Sequence, residues 1–312
     1  MDFRAYIDQA TTIALISHIS PDGDNLGCLT ALAESLRQLE KDVSAICLDE
    51  IPYNLNFLYG IDKLSKEWEK DFDLLITLDS SSLDRFGPGQ DIVNKAKYKI
   101  NIDHHISNNL DFDLNIVKSD YSSTGEVLYE LIKDYNLPMD VNIAESIFTA
   151  ISSDTGSFKY DTCTPRTFKI AADLLELGID QNKINTNLYS KNSLEKVKIL
   201  SIILNRLVID KKRAFAYSYI LKNDLKKLGA VESDADGSVE FIRDIDGVEV
   251  AMVLKEIDHG FKGSLRSKND KNVAELAQKF SGGGHVKAAG FTILENNLDK
   301  AIEEILNNYD WL

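Results

Sequence analysis

The sequence predicts an α/β protein: an N-terminal, mostly parallel sheet flanked by helices (1–187), a linker helix (188–207) and a smaller C-terminal α+β domain (208–312). Three observations carry this prediction. Short apolar runs alternate with stretches of helical periodicity through the first part of the chain. Several of those runs stop at an aspartate or histidine. Near residue 188 the rhythm changes, and longer strand-like runs follow.

Taken in order, Ile13-Ala14-Leu15-Ile16 is an apolar run of strand length. Leu26, Leu29, Leu32, Leu36 and Leu39 recur with the spacing of a helix lying on a sheet. Strands are expected at 43–48, at 73–78 ending on Asp79, and at 98–102 ending on Asp103. Ser123 followed by Glu126 reads as a capping box that opens a helix to about Tyr135. Residues 143–151 are helical in pattern and lead into the polar run Ser152-Ser153-Asp154-Thr155-Gly156. Pro165 suits the first turn of a helix that Gly178 stops. This order predicts a sheet covered on both faces, with ligands beyond the carboxyl ends of its strands. Farther on, a helix is expected at 193–207, strands at 214–220, 248–254 and 262–266, and helices at 273–280 and 298–308.

Composition narrows the function. The 312 residues are 44% hydrophobic and 27% charged, which is the make-up of a folded globular protein. The net charge of −15, from 35 basic and 50 acidic residues, argues against holding long nucleic acid by counterion release. A short anion is compatible with it, because bound metal ions and a few arginines supply local positive charge. No apolar run reaches the length of a membrane span, about 20 residues. The start, Met1-Asp2-Phe3-Arg4, lacks the pattern of a signal peptide, so a cytoplasmic protein without membrane contact is expected. Cys28, Cys47 and Cys163 read as reduced core residues.

Four of the five histidines fall in short segments that also hold aspartates or glycines. The segments are His18-Ile19-Ser20-Pro21-Asp22-Gly23-Asp24, Asp79, Asp103-His104-His105, Asp154, and Gly282-Gly283-Gly284-His285. In the first, Pro21 and Gly23 should keep the chain turning through Asp24. Imidazole with carboxylate suits Mn²⁺ and similar ions, and two such ions are a device for cutting phosphate esters. One glycine would cap the helix before Gly282; three in a row let a phosphate approach backbone amides. Arg266 has the planar fork that fits phosphate oxygens, and Arg85 is a further candidate of this kind. Phe158 and Tyr160 can stack on a base or pack inside, and packing is the expectation.

On these motifs the chain resembles the DHH phosphoesterase family, whose name motif stands here as Asp103-His104-His105. Leu78-Asp79-Ser80-Ser81, Ser153-Asp154-Thr155-Gly156, and Gly263-Ser264-Leu265-Arg266-Ser267 ahead of Gly282-Gly283-Gly284-His285 extend the resemblance over nearly the whole chain. Its length is that of the nanoRNase branch. The resemblance implies two divalent ions, Mn²⁺ foremost with Mg²⁺ and Co²⁺ tolerated. It puts His18, Asp22 and Asp79 on one ion and Asp24, Asp79, His104 and Asp154 on the other, with Asp79 bridging. His105 becomes a proton-handling residue; Arg266, His285 and the amides of Gly282, Gly283 and Gly284 take substrate phosphate.

The implied reaction is attack of a hydroxide between the ions on phosphorus. It converts short single-stranded oligoribonucleotides to mononucleotides and removes the 3′-phosphate of 3′-phosphoadenosine 5′-phosphate. Long duplex nucleic acid is not an expected partner, and a homodimer is left open. The alternatives are a soluble cyclic-dinucleotide phosphodiesterase, a manganese inorganic pyrophosphatase, or a non-catalytic nucleotide-binding protein. The pyrophosphatase would carry a basic run where this chain has Gly-Gly-Gly-His, and the binding protein would have lost ligands.

Overall fold

The apolar runs become the strands of one parallel sheet, built from β1 (Thr12–Ile16), β2 (Asp42–Ile46), β3 (Leu74–Leu78), β4 (Tyr98–Asp103) and β5 (Leu114–Val117). The computed structural model describes residues 1–68 and 71–309 and divides into two units, Met1–Lys191 and Asn192–Leu312. In the first unit the strand order is β2-β1-β3-β4-β5. Strand β5 was not expected, because its residues are only partly buried and the apolar pattern is correspondingly weak. Successive residues of β1 serve opposite faces. Ile13 and Leu15 join the larger core, with α1 (Phe3–Gln9), α2 (Gly23–Gln38), α4 (Thr124–Asp134) and α5 (Val141–Asp154). Ala14 and Ile16 join a smaller one with Phe86 and with Ile92 and Val93 of α3 (Gln90–Lys95). Burying one such Ile or Leu side chain contributes about 1.5–3 kcal/mol.

From β1 the chain crosses to β2 on one side and then to β3 on the other. That reversal opens a crevice at the carboxyl ends of β1 and β3. The chain leaves β1 into Ser17-His18 and leaves β3 into Asp79. Two expectations need correcting here. The turn does not last through Asp24: Asp22 is the N-cap of α2, its side chain accepting from the Asn25 amide, and Asp24 lies in the first helical turn. The helix expected over 143–151 also runs farther than its apolar pattern. The stripe Ile143, Ile147 and Ile151 carries α5 on through Ser152 and Ser153, and Asp154 is its last residue. Helices α6 (Pro165–Glu176) and α7 (Gln181–Tyr189) complete this unit.

The second unit opens with α8 (Leu194–Asn205) and continues with β6 (Val208–Asp210), β7 (Phe215–Ile220), α9 (Lys222–Leu228) and α10 (Ser238–Arg243). Then come β8 (Val250–Ile257), β9 (Gly260–Ser267), α11 (Val273–Gln278), β10 (Gly283–His285), β11 (Ala288–Ile293) and α12 (Leu298–Asn307). The sheet order is β10-β11-β9-β8-β7-β6, antiparallel except for the β7–β8 pair. Phe215, Met252 and Leu265 pack toward α11 and α12, whereas Ala216, Ala251 and Val253 face α8 and α10. The segment expected as a linker helix is thus a packed layer of this unit, with Ile199 and Ile203 fully buried. Strand β10 was hidden by its glycines, which read as a breaker. Among the described residues no helix is long and apolar enough to cross a membrane.

Candidate metal centre

His18, Asp22 and Asp79 meet at the β1–β3 crevice, their ligand atoms within 4.8 Å of one another. Asp79 has a left-handed backbone, φ 58°, a conformation aspartate enters more readily than most residues. Its amide donates to the Ile102 carbonyl at 2.9 Å, which holds the turn against β4. His18 Nε2 stands 3.6 Å from Asp79 Oδ2. His18 Nδ1 lies 2.8 Å from both the Ile19 carbonyl oxygen and Nη2 of Arg85. A carbonyl only accepts and a guanidinium only donates, so the two contacts require opposite tautomers. Were Nε2 to serve as a metal ligand, the Nδ1 proton would go to Ile19 and Arg85 would lose this contact.

Asp24, His104 and Asp154 form a second group, and Asp79, His104 and His105 a third. His104 Nε2 lies 3.4 Å from Asp154, 3.7 Å from Asp79 and 3.8 Å from Asp24. Two donors each about 2.1 Å from a shared ion stand about 3.0–3.5 Å apart. The observed separations are of that size or a little wider, and most are too long for hydrogen bonds. Electrostatics agrees. Burial, then the Asp79 and Asp154 carboxylates, hold Asp24 well above the usual carboxylate range. Partial burial, reinforced by Asp79 and Asp22, pushes Asp154 up to about 7. Burial also opposes charge on Asp79, but the neighbouring imidazoles of His18, His105 and His104 keep it below the usual range. A cluster that crowds carboxylates in this way calls for cations. Beside the ligands, Ser17 Oγ, Asn25 Oδ1 and Ser80 Oγ are buried without a hydrogen-bond partner. The donor set therefore fits divalent metal.

The start of α4 clamps the carboxylates from behind. Asp24 accepts from the amides of Thr124 (2.7 Å) and Gly125 (2.9 Å), and Asp79 accepts from Thr124 Oγ1 (2.9 Å). Gly125 has no room for a side chain, since a Cβ there would lie 2.7 Å from the Ala150 methyl. Sequence reading took this segment for a helix cap only. Ser123 does cap, accepting from the Glu126 amide, but the Glu126 carboxylate goes to Ser122 Oγ at 2.7 Å and Arg166 Nε at 3.1 Å. Arg166 also donates to the Asp120 carbonyl at 2.7 Å and covers the Tyr121 ring at 3.5 Å. The Tyr121 carbonyl in turn faces His104 Nδ1 at 3.3 Å, which directs Nε2 to the cluster. Asp103, fully buried at the end of β4, is part of the motif read from the sequence but had no role assigned there. It takes His105 Nδ1 at 2.7 Å and Asn108 Nδ2 at 2.6 Å. Burial works against a charged His105, but Asp103 and Asp79 carry it up to about 9.

The other expected residues lie in the second unit. His285, Ala288 and Arg266 are register partners across β10, β11 and β9, so they share one row on one face. Arg266 donates through Nε to Glu240 at 2.9 Å and through Nη1 to its neighbour's carbonyl, that of Leu265, at 2.9 Å. Gly282 and Gly284 are required by packing: a Cβ would lie 2.2 Å from the Gly290 carbonyl oxygen and 2.4 Å from that of Ala288. Gly283 alone faces open space.

Residues 12–151 match the DHH family, N-terminal domain, and residues 212–309 match the DHHA1 domain. A Thermus thermophilus protein named bifunctional oligoribonuclease and PAP phosphatase NrnA is 30% identical over 297 residues, 94% of this chain and 88% of its own. A Bacillus subtilis protein of the same name is 31% identical over 287 residues, 90% and 89% of the two chains. The crystal structure of an exopolyphosphatase-related protein from Bacteroides fragilis has a TM-score of 0.92 at 27% identity, covering 98% of this chain and 95% of that one.

Proposed function

The chain belongs to the DHH family, and on that premise we propose a cytoplasmic, metal-dependent phosphoesterase that cuts short oligoribonucleotides to mononucleotides. The same site would remove the 3′-phosphate of 3′-phosphoadenosine 5′-phosphate, the PAP of the relatives' name. The observation that carries the chemistry is the sharing of Asp79 between the group of His18 and Asp22 and the group of His104 and His105. His18, Asp22 and Asp79 would hold one ion, and Asp24, Asp79, His104 and Asp154 the other. Mn²⁺ suits this set best, with Mg²⁺ and Co²⁺ as lesser fits. When bound, such a pair neutralises phosphate charge and acidifies a water.

The chain's own residues do the rest. His105, held charged by Asp103, keeps its Nε2 proton for the leaving oxygen. Arg85, once released from His18, offers its fork to a phosphate oxygen. In the second unit, Arg266, His285 and the amides of Gly282, Gly283 and Gly284 would bind the substrate's phosphate. For that, Arg266 must exchange Glu240 for the ligand.

The test is hydrolysis by purified protein with Mn²⁺. The substrates are a 5′-phosphorylated diribonucleotide, 3′-phosphoadenosine 5′-phosphate, a cyclic dinucleotide, pyrophosphate and a long single-stranded RNA. Mononucleotide from the dinucleotide and phosphate from the bisphosphate are expected. Equal turnover of the dinucleotide and the long RNA would sink the short-substrate reading, and phosphate from pyrophosphate alone would replace it.

A further inference from the structure

Three tyrosines belong to, or pack on, segments that adjoin residues of the metal centre. Tyr189 donates its hydroxyl to the Ser152 carbonyl at 2.6 Å and lies 3.0 Å from Ser152 Oγ, two residues before Asp154. Tyr160 lies just past the same helix end, its amide on the Thr155 carbonyl at 3.1 Å and its ring flat on Gly156, where a Cβ would come within 2.4 Å of Cζ. Tyr53 belongs to the short 3-10 turn Tyr53–Leu55. Leu55 and Ser153 both lie against Gly23, the residue between Asp22 and Asp24. These rings are far from buried: Tyr160 is 40%, Tyr189 42% and Tyr53 63% exposed. The ammonium of Lys191 stands 4.8 Å over the Tyr53 ring.

The backbone that sets out this arrangement is strained. Gly156, Ser157 and Phe158 are left-handed in succession, with φ of 56°, 62° and 63°, which residues with a Cβ avoid. The loop sends Phe158 inward, onto Phe148 at 5.5 Å and Phe168 at 5.8 Å, and leaves Tyr160 outside. The packing expectation thus holds for Phe158 and fails for Tyr160. A strained turn that lays a half-exposed aromatic on Gly156, two residues past Asp154, adds nothing to the core. It does suit a ligand with a flat apolar face and a phosphate.

We propose that Tyr160 and Tyr189, with Tyr53 beyond them, form a nucleobase-stacking subsite beside Asp154, and that Lys191 Nζ meets a phosphate at its outer end. The proposal rests on the reading of this protein as an enzyme of short oligonucleotides. Stacking is sequence-tolerant, so the subsite recognises any base and acts by fixing where the adjoining phosphate lies.

The test compares binding of adenosine 5′-monophosphate with binding of ribose 5-phosphate, in the presence of Mn²⁺, by calorimetry. The wild type should prefer the nucleotide by roughly 5- to 150-fold, the range expected for one stacked base. Tyr160→Ala should lose most of that preference while binding ribose 5-phosphate unchanged. Tyr160→Phe should keep it, and Mn²⁺ binding by each variant serves as the check on folding. No preference in the wild type, or an undiminished preference in Tyr160→Ala, overturns the subsite. Neither readout needs turnover, so a wild type that binds by base but leaves the dinucleotide uncut would count against the proposed function and not against the subsite.

Discussion

The two units solve opposite problems. In the first, Asp24, Asp79 and Asp103 are almost completely buried, and each carboxylate has named donors: the amides of α4, the hydroxyl of Thr124, His105 and Asn108. In the second, Arg266 is part-exposed, and the carboxylate it meets is that of Glu240, also part-exposed. Buried charge is costly unless its partners are already in place, so a site of the first kind is assembled before any ligand arrives. A part-exposed pair costs little to form and little to break. Under the proposed function, the comparison would divide the labour between a rigid centre for chemistry and a yielding surface for binding.

Asp79→Ala should give the largest effect. It removes the shared carboxylate, and turnover should fall by more than about a thousandfold, with weaker Mn²⁺ binding by titration. Substantial activity in that variant would break the comparison at its stronger end. Next come the supports. Asp103→Asn, which unfastens His105, and Arg166→Gln, which loosens the segment behind His104, should each lower kcat about 10- to 100-fold at nearly constant KM. Arg166→Gln should weaken Mn²⁺ binding and Asp103→Asn should leave it nearly intact, which separates a ligand's support from a proton's. Arg266→Ala should act on KM, raising it about tenfold for a phosphorylated dinucleotide while kcat holds. A fall in kcat instead would show that the second unit takes part in the chemical step. The smallest effect is Glu240→Gln, which frees Arg266 and should lower KM by at most about fivefold, the worth of a part-exposed ion pair.

The same contrast accounts for what could be read from the chain in advance. The candidate ligands were legible because each falls in a short polar segment beside an apolar run, and the reversal between β1 and β3 gathers those segments. Thr124 and Gly125 were missed because they act through an amide pair and a hydroxyl in a stretch that also reads as an ordinary helix start. The Arg166–Glu126 pair spans 40 positions, and no local pattern announces it. Strands β10 and β11 were lost because two of the glycines there serve close approach of backbones, which sequence cannot tell from a turn. Tyr160 and Phe158 are two residues apart and chemically alike; only the left-handed turn sends one in and the other out.

The left-handed backbone of Asp79 narrows what this position tolerates. Glutamate or a β-branched residue would strain the turn, and glycine would leave the Thr124 hydroxyl without its acceptor. Asparagine alone keeps both the conformation and an oxygen for Thr124 while deleting the charge. Asp79→Asn is thus the natural folded reference for testing the proposed metal role, since it removes the charge without disturbing the architecture around it.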